Sequence, residues 1–328
     1  MPWNFPFWQA FRAAAPAILA GNSVVLKHAS NVMGSAKEIE NVFRIAGAPE
    51  GLFTSLIIPS DSVEQVLDHP SVRSVSLTGS EKAGAAVASL AGARIKKSVL
   101  ELGGSDPYIV LEDADVNKAV DVIKQSRLYN GGQSCISAKR MIVVDKVYDE
   151  FLHSFVEDMS SVSYGDPMNE SNVYGPMARH DLRDQLYDQQ QRAIASGAQL
   201  LTGGFIPDGP GALYPPTVLA EVKPGQAAFD EELFGPVAAV IRAKDENDAV
   251  RLANLSDYGL GAAVFTEDRE KGERLATEGI NSGSVFVNSL VRSDPRLPFG
   301  GVKMSGYGRE MSRYGLMEFV NIKTISIN

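Results

Sequence analysis

The sequence predicts an α/β protein in which a domain built on a parallel sheet is followed by a second α/β domain. Strand-like and helix-like segments alternate with short links along the 328 residues, which is the pattern of a parallel sheet covered on both faces. The length favours two domains or one large one. The composition, 44% hydrophobic and 22% charged residues, is ordinary for a globular protein.

The first part of the chain alternates strictly between the two kinds of segment. The pattern predicts helices over 7–20 (kinked near Pro16), 36–46, 62–67 and 83–90, and strands over 23–27, 52–58 and 72–77. In parallel sheets, ligands bind at the carboxyl ends of the strands. Lys27 and the run Thr78-Gly79-Ser80 follow strands directly, so both are candidates for ligand contacts.

The second part continues the alternation. We predict strands over 108–110, 140–144, 237–241, 262–265 and 284–287, helices over 116–128, 148–162, 179–195, 246–255 and 269–278, and a loop over 203–211. The tail, 319–327, alternates as an exposed edge strand would, and such edges commonly pair with another chain.

Charge and cysteine content exclude several classes of function. Lys and Arg total 31 against 40 Asp and Glu, without a basic run, so nucleic acid is not expected as a partner. One cysteine forbids an internal disulfide, and the four histidines are not spaced to bind a metal with it. The sequence has neither a signal-peptide pattern nor an apolar run of membrane-spanning length, which predicts a cytoplasmic protein without a membrane partner.

Cys135, the single cysteine, lies in the segment Asn-Gly-Gly-Gln-Ser-Cys-Ile at 130–136. Cysteine is among the most frequently buried residues, so a structural thiol is the first alternative. The preceding Gly-Gly-Gln-Ser favours a turn, on which a sulfur can face a cleft and a backbone N–H can point at an oxyanion. Taken alone, these two interpretations are evenly balanced.

Two further residues could take part in the same chemistry. Glu101 follows an apolar strand and precedes Leu-Gly-Gly, where the backbone can turn sharply. Held against apolar walls it would have a raised pKa that suits a general base, whereas in water it would be a strand-end residue. Asn4, in Pro-Trp-Asn-Phe-Pro, is either a loop residue or an amide that donates to an oxyanion.

Three glycine-containing segments complete the set. Residues 78–84 join a strand to a helix, whose N-terminal N–H groups can bind phosphate, although no G-x-G-x-x-G fingerprint is present. The segment 231–236 carries an acidic pair, which could simply end a helix. The segment 297–310 is dense in glycine and aromatic residues, which indicates an ordered loop.

In this order and combination, the motifs resemble the aldehyde dehydrogenase superfamily along essentially the whole chain, with the nearest likeness to bacterial NAD(P)-dependent succinate-semialdehyde dehydrogenases. The phrases that carry the finer likeness are 1–9, 26–32, 101–107 and 294–301. The resemblance implies an aldehyde-dehydrogenase-like fold, in which the dinucleotide-binding domain lacks the usual glycine fingerprint.

The resemblance also implies residue roles. Cys135 would attack the aldehyde carbon as a thiolate, and Asn4 with the Cys135 N–H would stabilise the thiohemiacetal oxyanion. Hydride transfer would leave a thioester, which water activated by Glu101 would hydrolyse. The implied cofactor contacts are Lys27 to the adenosine ribose, Gly79 and Ser80 at the pyrophosphate, Glu232 to the nicotinamide ribose, and Phe234 near the nicotinamide.

Cofactor choice rests on Ser30. Relatives that are strict for NAD carry an acidic residue three places after the lysine, where it repels a 2′-phosphate. Ser30 is small and neutral, which predicts NADP or NAD as the cofactor, with NADP accepted. A preference for NAD of a hundredfold, equivalent to about 2.7 kcal/mol, would contradict this interpretation.

Substrate choice rests on Arg12, eight residues after Asn4, where the resemblance implies a contact with the carboxylate of a semialdehyde. The alternative is a cation on the exposed face of its helix. Many such relatives have a second arginine six residues before the nucleophile, and here that position is Tyr129. A weaker KM or a broader substrate range follows, with Arg292 and Arg296 as possible substitutes. A second cysteine beside Cys135 is also absent.

Relatives normally carry more than a hundred residues before the Trp-Asn-Phe-Pro motif, so the resemblance predicts an N-terminally truncated chain with poor solubility or low activity. The expected domains are 1–102, the remaining, incomplete part of the cofactor-binding domain; 103–300, the catalytic domain; and 301–328, a return segment and C-terminal oligomerisation strand. The full-length form would be a homo-oligomer, a dimer or tetramer.

The sequence leaves several functions open. The first is oxidation of succinate semialdehyde, with another small aldehyde, charged or uncharged, as the rival substrate. A truncated, non-catalytic remnant is the alternative from a different class. A Cys-His hydrolase fails, because no histidine lies in a recognisable partner motif.

Overall fold

The computed structural model describes all 328 residues. The helices are α1 Pro6–Leu19, α2 Met33–Ile45, α3 Val63–Asp68, α4 Glu81–Ala93, α5 Val116–Leu128, α6 Asp145–Ser160, α7 His180–Ala195, α8 Ala227–Asp230, α9 Glu246–Asn254, α10 Arg269–Arg274 and α11 Ser312–Met317. The strands are β1 Val24–Leu26, β2 Phe53–Ser55, β3 Ser74–Thr78, β4 Lys97–Glu101, β5 Asp106–Val110, β6 Ala138–Val144, β7 Gln199–Thr202, β8 Thr217–Ala220, β9 Val237–Ala243, β10 Tyr258–Gly259, β11 Gly261–Phe265, β12 Ser284–Val287, β13 Val302–Lys303 and β14 Gly306–Tyr307.

The chain divides into two compact units. Unit 1 comprises Met1–Leu102, Ser293–Gly301 and Ser305–Asn328, and unit 2 comprises Gly103–Arg292 and Val302–Met304. The domain bounds expected from the sequence stay a prediction. Residues 293–300, expected in the catalytic domain 103–300, group with unit 1, where Phe299 pairs with Glu310.

Unit 2 is built on a seven-stranded sheet in the order β12-β11-β5-β6-β9-β8-β7. Every neighbouring pair is parallel except β7 with β8. The central strands β5 and β6 are buried along their whole length, as expected for strands covered on both faces. Helix α5 joins them, and Asp115 caps its first turn by accepting from the Lys118 N–H at 3.0 Å.

Unit 1 contains two small sheets instead of the single sheet expected. Strands β1 and β2 form a parallel pair, and β3, β4 and β14 form a second sheet in which only β14 is antiparallel. Strands β1 and β2 have only three residues each, so they offer few ladder bonds. Ala10, Ala14 and Ile39 lie in the core beside them, whereas Phe7 and Trp8 of α1 are partly exposed.

The predicted tail strand over 319–327, which was expected to pair with another chain, stays a prediction. These residues form no regular structure, and Ile322, Ile325 and Ile327 are exposed. A strand requires a neighbouring backbone for its hydrogen bonds, and no other segment of this chain supplies one. Strands β7, β8, β10, β13 and β14 and helices α8 and α11 were not predicted.

None of the helices is both long enough and apolar enough to cross a lipid bilayer.

Candidate active site

In unit 2, three candidate residues precede adjacent strands of the sheet. Cys135 precedes β6, Glu232 precedes β9, and Gly104 precedes β5. These strands are parallel neighbours in the order β5-β6-β9, so their amino ends share one edge. The topology thereby brings the cysteine turn and the acidic segment 231–236 together.

Cys135 lies on a turn, as predicted, and is half-buried. Left-handed backbone at Asn130, Gly131 and Gly132 leads into this turn. Gly132 must be a glycine, because a Cβ would come within 2.3 Å of the Gly235 backbone. Arg127 is buried beneath the segment and donates to the Gly132 carbonyl at 2.6 Å. These contacts fix the backbone of the segment that leads to Cys135.

Lys139 lies in β6, four residues after Cys135, and only 1% of its side chain is exposed. Its ammonium donates to the carbonyl oxygens of Ser134 at 2.8 Å and Cys135 at 2.7 Å. It also lies 3.1 Å from Glu232 Oε1 and 6.0 Å from the ring centroid of Phe234. The buried Lys139 ammonium therefore lies against the cysteine turn and beside Glu232 and Phe234, the two residues predicted to contact the nicotinamide and its ribose.

Glu232 and Cys135 are also linked through Gly104. The Gly104 N–H donates to Glu232 Oε1 at 3.1 Å. A Cβ at Gly104 would come within 2.7 Å of the Cys135 carbonyl oxygen. The Gly-Gly pair after Glu101 was predicted to allow a sharp turn, and the second glycine of the pair packs against the backbone of Cys135.

In unit 1, Glu101 ends β4 and is only 2% exposed. The alternative of a strand-end carboxylate in water is therefore wrong. No protein group donates a hydrogen bond to either of its carboxylate oxygens. Burial, and then the like charge of Glu310, raise the pKa of Glu101 well above its ordinary value, although Arg12 and Arg309 oppose the shift. These are the properties of a general base.

Arg12 is buried in α1, so the alternative of an exposed cation is also wrong. Its Nε donates to Glu310 Oε2 in a buried ion pair, and its guanidinium lies 4.1 Å from the ring centroid of Phe299. Glu310 also accepts from Ser76 Oγ at 3.0 Å. The predicted contact of Arg12 with a substrate carboxylate stays a prediction.

The side-chain amide of Asn4, which lies just before α1, is oriented by Gln9 of that helix. Gln9 Nε2 donates to Asn4 Oδ1 at 3.1 Å, which turns the amide nitrogen of Asn4, its donor end, away from Gln9. An oriented donor is what the predicted oxyanion contact requires.

The predicted cofactor contacts in unit 1 follow strands at their carboxyl ends. Lys27 follows β1 and donates to Ser60 Oγ at 3.1 Å, and Ser30 is exposed nearby in sequence. Gly79 and the exposed Ser80 join β3 to α4, and Ser80 caps the helix by accepting from the Ala83 N–H at 3.4 Å. A hydroxyl and an ammonium on the surface, with a capped helix start, fit the ribose and phosphates of a dinucleotide.

Comparison with known proteins identifies the class of protein. The aldehyde dehydrogenase family model matches residues 1–325. The chain therefore belongs to the aldehyde dehydrogenase family, whose members are oxidoreductases, and the resemblance seen in the sequence is confirmed.

Several proteins that are similar to this chain in sequence or in structure are named as succinate-semialdehyde dehydrogenases. The chain is 50% identical over 325 residues to succinate semialdehyde dehydrogenase [NAD(P)+] of Escherichia coli (strain K12), covering 99% of this chain and 70% of that protein. It is 48% identical to the succinate-semialdehyde dehydrogenase [NADP(+)] of Mycobacterium avium (strain 104), covering 100% and 69%. The crystal structure of succinic semialdehyde dehydrogenase from Streptococcus pyogenes with NADP+ matches with a TM-score of 0.97 at 42% identity, covering 99% and 71%.

Sequence reasoning missed Lys139 and Glu310. A lysine and an arginine opening an otherwise apolar strand (Ala-Lys-Arg-Met-Ile-Val-Val) were a usable signal, since a buried charge must be paired. Glu310 offered no comparable signal, because its partner Arg12 is 298 positions away.

Proposed function

We propose that this protein oxidises succinate semialdehyde to succinate with NADP or NAD as the oxidant. The observation that carries the proposal is Cys135, half-buried on a turn whose backbone is held by a buried cation. Support for the substrate and the cofactor comes from relatives named for this reaction at 48–50% identity.

In the proposed mechanism, the Cys135 thiolate adds to the aldehyde carbon and forms a thiohemiacetal. The Cys135 N–H and the Asn4 amide stabilise the negative oxygen that develops. A nicotinamide held at Glu232 and Phe234 would supply the oxidising power, as the acceptor of the hydride that leaves this carbon. The resulting Cys135 thioester is hydrolysed by water, from which Glu101 accepts a proton.

The proposed cofactor contacts are polar side chains, the start of a helix and one aromatic ring. Lys27 and Ser30 bind the adenosine ribose, and the start of α4 at Gly79 and Ser80 binds the pyrophosphate. Glu232 binds the nicotinamide ribose, and Phe234 packs near the nicotinamide. The neutral Ser30 allows a 2′-phosphate, in agreement with the relatives named for NADP.

The test measures the reduction of NADP by its absorbance. It compares the unchanged protein with Cys135→Ser and with the control Ser161→Ala, which replaces an exposed serine. We expect Cys135→Ser to lower kcat by at least about 10³-fold, as removal of a nucleophile does, and the control to leave it unchanged. Turnover of Cys135→Ser within about tenfold of the unchanged protein would overturn the proposal.

A second candidate substrate is an uncharged small aldehyde. It is favoured by the ion pair of Arg12 with Glu310 and by Tyr129 in place of a second arginine. The ratio of kcat/KM for succinate semialdehyde and butanal distinguishes the two, since a carboxylate contact is absent for butanal. A homo-oligomeric state and a cytoplasmic location stay predictions.

A further inference from the structure

The ammonium of Lys139 makes two hydrogen bonds and one ion pair within unit 2. It donates to the Ser134 carbonyl at 2.8 Å and to the Cys135 carbonyl at 2.7 Å. Glu232 Oε1 lies 3.1 Å from the same nitrogen and forms an ion pair with it. Such a cation, 1% exposed, tolerates burial because a carboxylate neutralises it. Both of its hydrogen bonds go to the backbone of the cysteine turn.

The bond to Ser134 determines where the Cys135 N–H points. The Ser134 carbonyl and the Cys135 N–H belong to one planar trans peptide and point in opposite directions. Because the carbonyl faces Lys139, the N–H faces away from it. The bond to the Cys135 carbonyl fixes the following peptide in the same way, and this carbonyl lies so close to Gly104 that a Cβ there would come within 2.7 Å of it.

We propose that Lys139 is a positioning residue, which fixes the peptide between Ser134 and Cys135 so that the Cys135 N–H is presented to the oxyanion. The same ammonium holds Glu232 in place for the nicotinamide ribose. This inference rests on the proposed function, because it assigns a use to the oxyanion contact. Without the ammonium, two carbonyls and a carboxylate lose their common cation, and the Ser134 carbonyl keeps only the 3.3 Å bond from the Ser137 N–H.

The expected effect can be stated from oxyanion donors in general, whose removal lowers kcat about 10²–10³-fold. Formation and hydrolysis of the thioester both pass through an oxyanion, so kcat should fall whichever step limits it. Alkylation of Cys135 by iodoacetamide is a displacement at an sp³ carbon and forms no oxyanion. Loss of the donor alone should therefore slow turnover and spare alkylation.

The experiment compares Lys139→Met with Lys139→Arg and with Lys146→Met, a control lysine of the same unit whose side chain is 71% exposed. For each variant, kcat with succinate semialdehyde and NADP is measured. The rate of alkylation by iodoacetamide is measured at about pH 10, where an ordinary thiol with a pKa of about 8.5 is ionised.

For Lys139→Met, we expect kcat to fall at least about 10²-fold while alkylation stays within about threefold of the unchanged protein. Lys139→Arg keeps the charge but places its donors differently, and we expect kcat to fall about tenfold with the same sparing of alkylation. If Lys139→Met does not fold, the arginine variant decides by the same criterion. The inference is overturned if kcat is unchanged, or if kcat and alkylation fall together.

Failure of this inference is distinguishable from failure of the proposed function. If Cys135→Ser retains turnover, the proposed function fails regardless of Lys139. If Cys135→Ser is inactive while the Lys139 variants keep full kcat, only the positioning role is lost.

Discussion

Arg12 and Glu310 form an ion pair that is almost completely excluded from solvent, with exposed side-chain fractions of 3% and 0%. Helix α1 is thereby joined to the C-terminal segment of unit 1, across 298 positions of sequence. Glu310 is also a charge that raises the pKa of Glu101. An arginine expected to select the substrate therefore acts on the electrostatics around the proposed base.

The first prediction concerns this pair. Arg12→Met should lower the stability by about 3–5 kcal/mol, because it leaves Glu310 charged and buried, and should lower kcat/KM for both succinate semialdehyde and butanal. Adding Glu310→Gln should recover most of the loss in Tm, which thermal denaturation measures. A loss of activity confined to succinate semialdehyde would instead indicate a substrate contact for Arg12.

The second prediction concerns the pH dependence of turnover. Glu101 accepts a proton only as a carboxylate, and its pKa is raised by burial and by Glu310 above the ordinary 4.5. The acid limb of kcat against pH should therefore lie above pH 4.5, with activity rising as Glu101 ionises. Glu310→Gln removes the like charge and should move this limb to lower pH.

The matched control for that shift is Glu50→Gln, which neutralises an exposed carboxylate of unit 1 and should leave the profile in place. An acid limb that stays where it is in Glu310→Gln would show that Glu310 does not influence the base. Glu101→Gln should abolish the limb along with most of the turnover.

The third prediction concerns the cofactor. Ser30→Glu should raise the KM for NADP at least about tenfold, about 1.4 kcal/mol, because a carboxylate there repels the 2′-phosphate, and should affect NAD little. Ser89→Glu, which places the same charge on an exposed position of α4, is the control. Equal effects of Ser30→Glu on both cofactors would contradict the assigned role of this position.

The fourth prediction concerns stability against pH. Burial raises the pKa of Asp106 from 3.8 to about 7 in the folded protein. A carboxyl with a raised folded pKa favours folding fully below the unfolded value, and this contribution is lost as pH rises through about 7. Asp106→Asn should therefore match the unchanged protein near pH 4 and be more stable by about 4 kcal/mol near pH 8.

Thermal denaturation across this range measures the difference. Asp121→Asn, a substitution whose side chain is 74% exposed, should show no such divergence. A constant difference in Tm between Asp106→Asn and the unchanged protein at all pH values would mean that the pKa of Asp106 is the same in the folded and unfolded states, and would contradict the prediction.

Local pattern predicted much of the fold. Helix α5 and strand β12 were predicted with the bounds observed, because capping and apolar periodicity are encoded within the segments themselves. The turn at Cys135 was also predicted locally, from the Gly-Gly-Gln-Ser that precedes the cysteine. Strand β7 was missed, since it is an exposed edge whose pairing depends on β8.

The contacts of the candidate site were less accessible to sequence reasoning. The partners of Lys139 include backbone carbonyls, which carry no residue identity that a spacing could reveal. Glu310 reaches Arg12 only through the folded path of the C-terminal segment. At the tail the local pattern was present but a partner was not. The alternation over 319–327 does not by itself provide the neighbouring strand that a strand needs for its hydrogen bonds.

Gly104 and Gly132 have a practical consequence for anyone who wishes to redirect this protein toward another aldehyde. A methyl group at either position would meet backbone atoms within 2.7 Å, and at Gly104 the atom met is the carbonyl of the nucleophile itself. A mutant library should hold both codons constant and place its diversity at Tyr129, which is 64% exposed and begins the segment that contains Gly132.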